Sequence, residues 1–304
     1  MSKIGKSKLN IELPIKVESN SSSKSYLTLS SDSSESEYTG TLMYGLLTTR
    51  KETIDKIFRH LSHNSIMINF KHYNDKLFIT SFDKNETILS SVEINLKYIL
   101  KYYIPTFDFS YNISTNLLQE YSCNFFKNHI GFSITNSDIL FYPIDTNMYF
   151  ENVDKWLEFH DKNIKEFHFK IPISLSSDYG NELYRNKLIE ISNRNNTPIV
   201  FQLSNQNINQ LYHFITSDKN EFIELKYTKQ KLYYKEYAFK NENNNKFELF
   251  PNKHGIDINK LVLMDVINII NNEDNSEKIL LFYENSLGIW LIDEIFRFKC
   301  TIEL

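Results

Sequence analysis

The sequence predicts an α+β protein of two domains, each built from two βαβββ units. Three observations carry this prediction. Four apolar stripes at helical spacing recur along the chain: Ile54/Ile57/Phe58/Leu61, Leu118/Tyr121/Phe125, Ile208/Leu211/Tyr212/Ile215 and Leu263/Val266/Ile267/Ile270. Three follow i, i+3, i+4, i+7, the spacing of one buried helical face, and the second is looser, with Ser122 at i+4. Each stripe follows an extended apolar segment and precedes further strands, and the four units fall two and two around a long connection, Pro172 to Thr197.

Residues 1–38 read as a disordered tail. Lys3, Lys6 and Lys8 are followed by a serine-rich acidic run, Ser30 to Glu37, with little to bury. Phosphorylation would make that run more negative. Strand Thr41–Thr48 then feeds helix Lys51–His63, with strands expected at Ile66–Phe70, Leu77–Phe82 and Ile88–Ile94. The second unit starts at Phe107–Ile113 and turns at Ser114, a good N-cap, into a helix through Phe126. Ile130–Thr135 and Ile139–Tyr142 form a hairpin over Asn136-Ser137-Asp138. An insertion at about 144–164 interrupts the pattern; Phe150, Val153 and Leu157 are spaced for a short surface helix with Trp156. Strand Glu166–Ile171 closes a first domain of 39–172, with Phe167 and Phe169 on one face.

The connector, 173–196, contains Tyr184/Leu188/Ile191, again at helical spacing. The second domain, 197–304, opens with strand Ile199–Leu203 and a helix capped by Asn205 or Asn207 and ending near Thr216. Strands follow at Phe222–Tyr227, Leu232–Phe239 and Lys246–Phe250. The last unit runs from Ile256–Ile258, through Asn259 into a helix ending near Ile270, to strands Ile279–Tyr283, Leu287–Ile292 and Ile295–Ile302.

Bulk composition fits a soluble globular protein: 41% apolar, 24% charged and a net charge of −4. Ala238 is the only alanine, and Ile, Asn and Lys abound, as AT-rich coding sequence produces. Cys123 and Cys300 sit among apolar residues, so a reducing, intracellular compartment is expected and a disulfide framework is not. No apolar run reaches membrane-spanning length, and Met1 to Asn10 has no signal-peptide core, so no membrane partner is expected.

Catalytic signatures are absent. The sequence has no phosphate-binding glycine loop, no H-E-x-x-H, no zinc-spaced Cys/His pairs and no G-x-S-x-G. His72 and His160 stand alone on polar segments and are expected at the surface. Asp83, Asp138, Asp257 and Asp265 are expected in turn, capping or polar-face roles. The chain therefore reads as a non-enzyme without cofactor or metal.

The order of the motifs resembles the DNA sliding clamps of the proliferating cell nuclear antigen (PCNA) family. Leu42-Met-Tyr-Gly-Leu-Leu47 followed by Ile54 to Leu61 looks like the clamp's opening strand and first helix. Phe78 to Asp83 and then Ile88 to Val92 look like its second strand, Asp turn and third strand. Phe109 to Leu118 looks like the strand entering its second helix, and Glu166 to Ile171 like the strand before its connector. Gly255 to Leu261 and Ile279 to Asn285 look like its last helix and closing strands. The resemblance covers about residues 40–304, and the composition, tail and insertion suggest a divergent member encoded by a large DNA virus.

What the resemblance implies is a ring, usually a homotrimer, with helices lining the hole and sheets outside. Such a ring is a processivity factor that encircles double-stranded DNA and tethers a DNA polymerase and other clamp-binding proteins, in the nucleus or at a cytoplasmic viral replication site. A clamp slides by contacting phosphates without reading bases, which calls for cations on the hole-lining helices. The matching cations are Lys51, Lys56, Arg59 and His63 on the first helix, Lys127 after the second, and Lys260 on the fourth. The third helix offers His213, with Lys219 beyond its end, so the basic signal is concentrated on the first. Partner binding maps to the Phe82–Thr87 turn, the connector around Leu175–Leu188 and Cys300–Leu304, with Phe82, Leu175, Ile302 and Leu304 as the expected contacts. Ring closure would pair edge strands, for which Ile139–Tyr142 and Leu232–Phe239 are the candidates. The alternative is a clamp-fold subunit, monomeric or heteromeric, serving as a viral transcription or repair scaffold without encircling DNA.

Overall fold

Strand periodicity in this chain resolves into three antiparallel sheets. The structure, a computed structural model, describes residues 42–304 except 66, 106–108, 116–127, 167–168, 176–185, 187–197, 243–253, 272–275 and 284. The expected tail, the second helix with Lys127, most of the connector and strand Lys246–Phe250 lie outside the described residues.

The first half of the chain supplies β1 (Met43–Leu47), α1 (Lys51–Asn64), β2 (Met67–Tyr73), β3 (Lys76–Phe82), β4 (Ile88–Asn95), the one-turn α2 (Leu96–Ile99), β5 (Leu100–Pro105), β6 (Phe109–Ser114), β7 (His129–Ile134), β8 (Asp138–Ile144), α3 (Val153–Glu166), β9 (Phe169–Pro172) and β10 (Ser174–Leu175). The second half supplies β11 (Ile199–Gln202), α4 (Asn205–Ser217), β12 (Phe222–Tyr227), β13 (Lys231–Tyr234), β14 (Tyr237–Lys240), β15 (His254–Asn259), α5 (Lys260–Asn271), β16 (Glu277–Phe282), β17 (Ser286–Ile292) and β18 (Phe296–Glu303).

A five-stranded sheet runs β5-β1-β7-β8-β9, a four-stranded sheet β14-β13-β12-β15, and a nine-stranded sheet β10-β6-β2-β3-β4-β18-β17-β16-β11. The nine-stranded sheet joins the two halves where β4 pairs with β18, from Ile94↔Phe296 to Ile88↔Ile302. Alternation sets the faces: in β12, Ile223, Leu225 and Tyr227 point inward while Phe222, Glu224 and Lys226 point out.

The expected helical stripes bury as their spacing requires. Ile54, Ile57 and Leu61 on α1, Ile208, Leu211 and Ile215 on α4, and Leu263, Val266, Ile267 and Ile270 on α5 all lie in one apolar core. Burial of each such side chain contributes about 1.5–3 kcal/mol. Capping of α4 differs from expectation: Ser204, not Asn205 or Asn207, is the N-cap, its Oγ accepting from the Asn207 amide at 3.2 Å. Asn259 starts α5, its Oδ1 accepting from the Leu261 amide at 3.0 Å.

The insertion is more than a surface helix. α3 docks through Trp156 and His160, both buried, into a second cluster with Leu46, Tyr142, Ile144 and Phe150. A bulge prepares the site. Register shifts between Tyr44 and Leu46 where β1 meets β5, and Tyr102 there adopts φ 52°. Its ring stacks on Trp156 at 5.4 Å, and its hydroxyl donates to the Phe150 carbonyl at 2.9 Å. Across the sheet, Tyr142 opposes Gly131, and a Cβ on Gly131 would sit 2.4 Å from the Tyr142 ring. That glycine admits the ring that His160 binds.

Candidate nucleic-acid face and partner region

Three described helices lie in a row, α5 in the middle and in contact with both α4 and α1. The predicted cations divide between solvent and this packing. Lys51 opens α1, and Glu52 follows it; burial lowers the Lys51 pKa. Lys56 turns toward the seam, its Nζ 3.5 Å from the Asn268 carbonyl of α5, and burial lowers its pKa too. Arg59 is exposed and pairs with Asp55 at 2.7 Å. Asp55 nonetheless has a raised pKa, because burial outweighs the guanidinium beside it. His63 is exposed and faces Asp265 of α5 at 3.6 Å. Lys260 folds back over the end of α4, donating to the carbonyls of Thr216 and Asp218. Those carbonyls belong to the last residues of α4 or follow it, a place that favours a cation.

Beneath the row runs a polar chain, part-buried at Asn64 and Asp265 and buried at His60 and Ser90, that the sequence did not announce as such. The Asn64 Nδ2 donates to His60 Nδ1 at 3.1 Å and to Asp265 Oδ2 at 3.4 Å. With Nδ1 accepting, His60 Nε2 carries the hydrogen and donates to Ser90 Oγ at 2.9 Å. Burial pushes the His60 pKa down to about 4. A signal was present: His60 and Asn64 continue the Ile57/Leu61 face at i+3 and i+7.

His160 makes a second such site, its Nε2 2.7 Å from Ser133 Oγ and its Nδ1 2.8 Å from the Tyr142 hydroxyl. Burial holds its pKa down at about 4 and raises that of Tyr142. His72 is likewise buried, 2.6 Å from the Tyr103 hydroxyl and stacked on Phe109. The surface positions expected for His72 and His160 are therefore corrected: each is buried by partners distant in sequence.

Of the residues expected to bind partners, Phe82, Ile302 and Leu304 lie around the Asp83 turn. Asp83 Oδ1 accepts from the amides of Thr87 at 2.6 Å and Ile88 at 2.8 Å, and Oδ2 from the Thr87 hydroxyl at 2.9 Å. The chain end docks beside it: the Glu303 amide donates to the Thr87 carbonyl at 2.7 Å, and Ile302 pairs with Ile88. Phe82 pairs with Leu89 on the neighbouring strand. Ile302 is buried, and Leu304 is 45% exposed, so Leu304 offers the apolar surface at the tip. Leu175 is placed elsewhere on the sheet. Its strand is paired with β6 at the far edge, three strand steps from Phe82, about 14 Å at standard spacing.

Edge positions differ from the expected ones. β8, containing Ile139–Tyr142, is interior, paired with both β7 and β9. Leu232–Phe239 is a hairpin of β13 and β14, not one strand. Among the described strands the sheet edges are β5 and β9, β14 and β15, and β10 and β11; on β9 and β14, Phe169 is 42% and Tyr237 41% exposed. Among the described residues no three His, Cys, Asp or Glu side chains gather to hold a metal, and no helix is long and apolar enough to cross a membrane.

By sequence, the chain matches no protein-family model and no curated protein. By structure it is similar to PCNA of A. fulgidus, solved with the C-terminal region of FEN-1 bound, at a TM-score of 0.55 and 8% identity, over 86% of this chain and 97% of that one. PCNA from Thermococcus kodakaraensis gives 0.53 and 9%, over 86% and 99%. PCNA from Entamoeba histolytica gives 0.51 and 8%, over 86% and 98%. With the helices in a row, the halves joined through one long sheet, and 86% of this chain matched to 97–99% of each PCNA, this chain has the sliding-clamp fold of PCNA.

Proposed function

We propose that this chain is a DNA polymerase processivity factor, a PCNA-like clamp whose copies close a ring around duplex DNA. In this reading 39–172 and 197–304 are its two clamp domains, 173–196 is the connector and 1–38 is a tail. The observation that carries it is the pair of strand edges. β9 and β14 border different sheets and neither pairs with the other inside the chain. Such edges invite a second copy. Pairing β9 of one copy with β14 of the next is a head-to-tail contact, which closes into a ring when the rotation between copies allows. Three copies is the expectation from the fold. The helix row then faces the hole, and the Asp83 turn with Leu304 takes polymerase and other replication or repair proteins.

The test is topological. The chain is loaded on nicked circular duplex, and half of the sample is then cut once. Retention on circles and release from the cut DNA supports encirclement. Equal retention on both, or a monomer by mass in solution at micromolar concentration, refutes it and favours the clamp-fold scaffold.

A further inference from the structure

The two edges assigned to the joint between copies are held in different ways. β14 turns back from β13 in a tight hairpin, Tyr234↔Tyr237, and Tyr237 stacks on Phe214 of α4 at 3.8 Å. β9 returns to β8 only after residues 145–168, 24 in all, where a hairpin loop ordinarily has about 2–5. Little in β9 itself offsets so long a connection. Ile171 is its one buried residue, and Pro172 has no N–H for a ladder. Phe169 stacks on Phe141 at 5.9 Å and Lys170 pairs with Asp138 at 3.0 Å, but Phe169 and Lys170 are themselves exposed. Burying one isoleucine does not offset the ordering of four backbone residues after a 24-residue loop.

The inserted helix supplies what β9 lacks. α3 packs across β7 and β8 on the face of the sheet away from the main core. Tyr142 of β8 reaches His160 there, while Phe141 beside it points into the main core with Ile171. Trp156 and His160 are buried, and the helix ends at Glu166, two residues before β9. Docking therefore cuts the free link to β9 from 24 residues to two. The docking is weaker than a core contact of the same size. His160, Ser133 and the Tyr142 hydroxyl are buried with it, and the Trp156 indole N–H finds no acceptor among the described residues. A helix held in this way leaves its site more readily than the main core opens. We propose that α3 is a bracket that holds β9 ready to pair with the next copy, so that the joint closes when α3 is docked and opens when it leaves. This rests on the clamp reading above and adds what regulates its joint.

The test uses the full chain and a variant with about eight Gly/Ser residues inserted after Glu166, which lengthens the link from two residues to about ten. Assembly is followed by sedimentation velocity at micromolar concentrations. Loop-closure entropy lowers the share of copies with β9 in place about tenfold, so half-assembly should need about ten times more protein. Retained near-ultraviolet dichroism shows that α3 is still docked in this variant, which a merely stabilising role for the helix would leave assembling as before. Trp156→Ala, which undocks α3 and frees the whole link, should raise the half-assembly concentration about fortyfold. If the insertion variant loses its dichroism, Trp156→Ala decides alone, with far-ultraviolet dichroism as the check on its fold. A wild type that assembles, with variants that assemble at the same concentration, overturns the bracket and leaves the clamp. A wild type that stays monomeric sinks the clamp, and the bracket with it.

Discussion

Acid should unfold this protein through its buried histidines, and replacing one should remove a measurable share of the effect. His60 and His160 are both buried, and their pKa values fall from 6.5 to about 4. Between those values the unfolded chain binds protons that the folded chain refuses. Stability from both groups is therefore complete above pH 6.5 and is lost as pH falls toward 4. Each contributes a slope of about 1.4 kcal/mol per pH unit, or about 3 kcal/mol by pH 4. Together they reach about 6 kcal/mol, within the 5–15 kcal/mol of a typical domain's whole stability. The perturbation is His160→Gln, which keeps a neutral donor and acceptor near Ser133 and Tyr142. Urea unfolding is followed at half-unit steps from pH 7.5 to 4.5. The variant should lose about 1.4 kcal/mol per pH unit of slope near pH 5, relative to wild type. His129, whose pKa burial also lowers, acts in the same direction but equally in both proteins. Equal slopes in the two proteins would refute the assignment of His160 as a buried neutral group.

Other outcomes follow from packing. Trp156→Ala should cost about 3–5 kcal/mol and release α3, seen as lost near-ultraviolet dichroism. Trp156→Phe should cost distinctly less, because the buried indole N–H has no acceptor among the described residues, and equal costs would count against that account. Gly131→Ala should destabilise by about 1–3 kcal/mol, since the new methyl meets the Tyr142 ring that His160 holds; an unchanged melting temperature would show that the ring yields. Asp83→Ala strips acceptors from three amides and a hydroxyl and should cost about 1–3 kcal/mol, with Asp83→Asn costing less. Urea midpoints of the two variants decide it.

Much of the fold was legible because helix spacing and strand alternation are local properties. The stripes on α1, α4 and α5 needed only the residues within each helix, and all three pack into the core. What escaped is non-local. His160 reads as polar beside Asp161, yet it is buried by Ser133 and Tyr142, partners 27 and 18 residues away. Lys260 reads as a cation offered to DNA, yet carbonyls at the end of another helix take it. Strand edges escaped for the same reason: nothing within Ile139–Tyr142 tells that β9 will pair on its far side. The short β5 and α2 were missed because residues 96–105 keep neither period for long enough.

The pairing of β4 with β18 also governs how the chain reaches its native state. Ile88 and Ile302 are brought side by side from positions roughly 200 residues apart, a separation that slows folding through the entropy of loop closure. During synthesis, the first half can complete β2, β3 and β4 but must wait with the β4 edge open until β18 leaves the ribosome. That edge is a template for mispairing for the whole interval. Polar side chains lie along it: Ser90, Ser91 and Glu93 are interspersed with Leu89, Val92 and Ile94. They make the waiting edge less adhesive than an unbroken apolar strand would be, and β18, made some 200 residues later, is the strand that seals it.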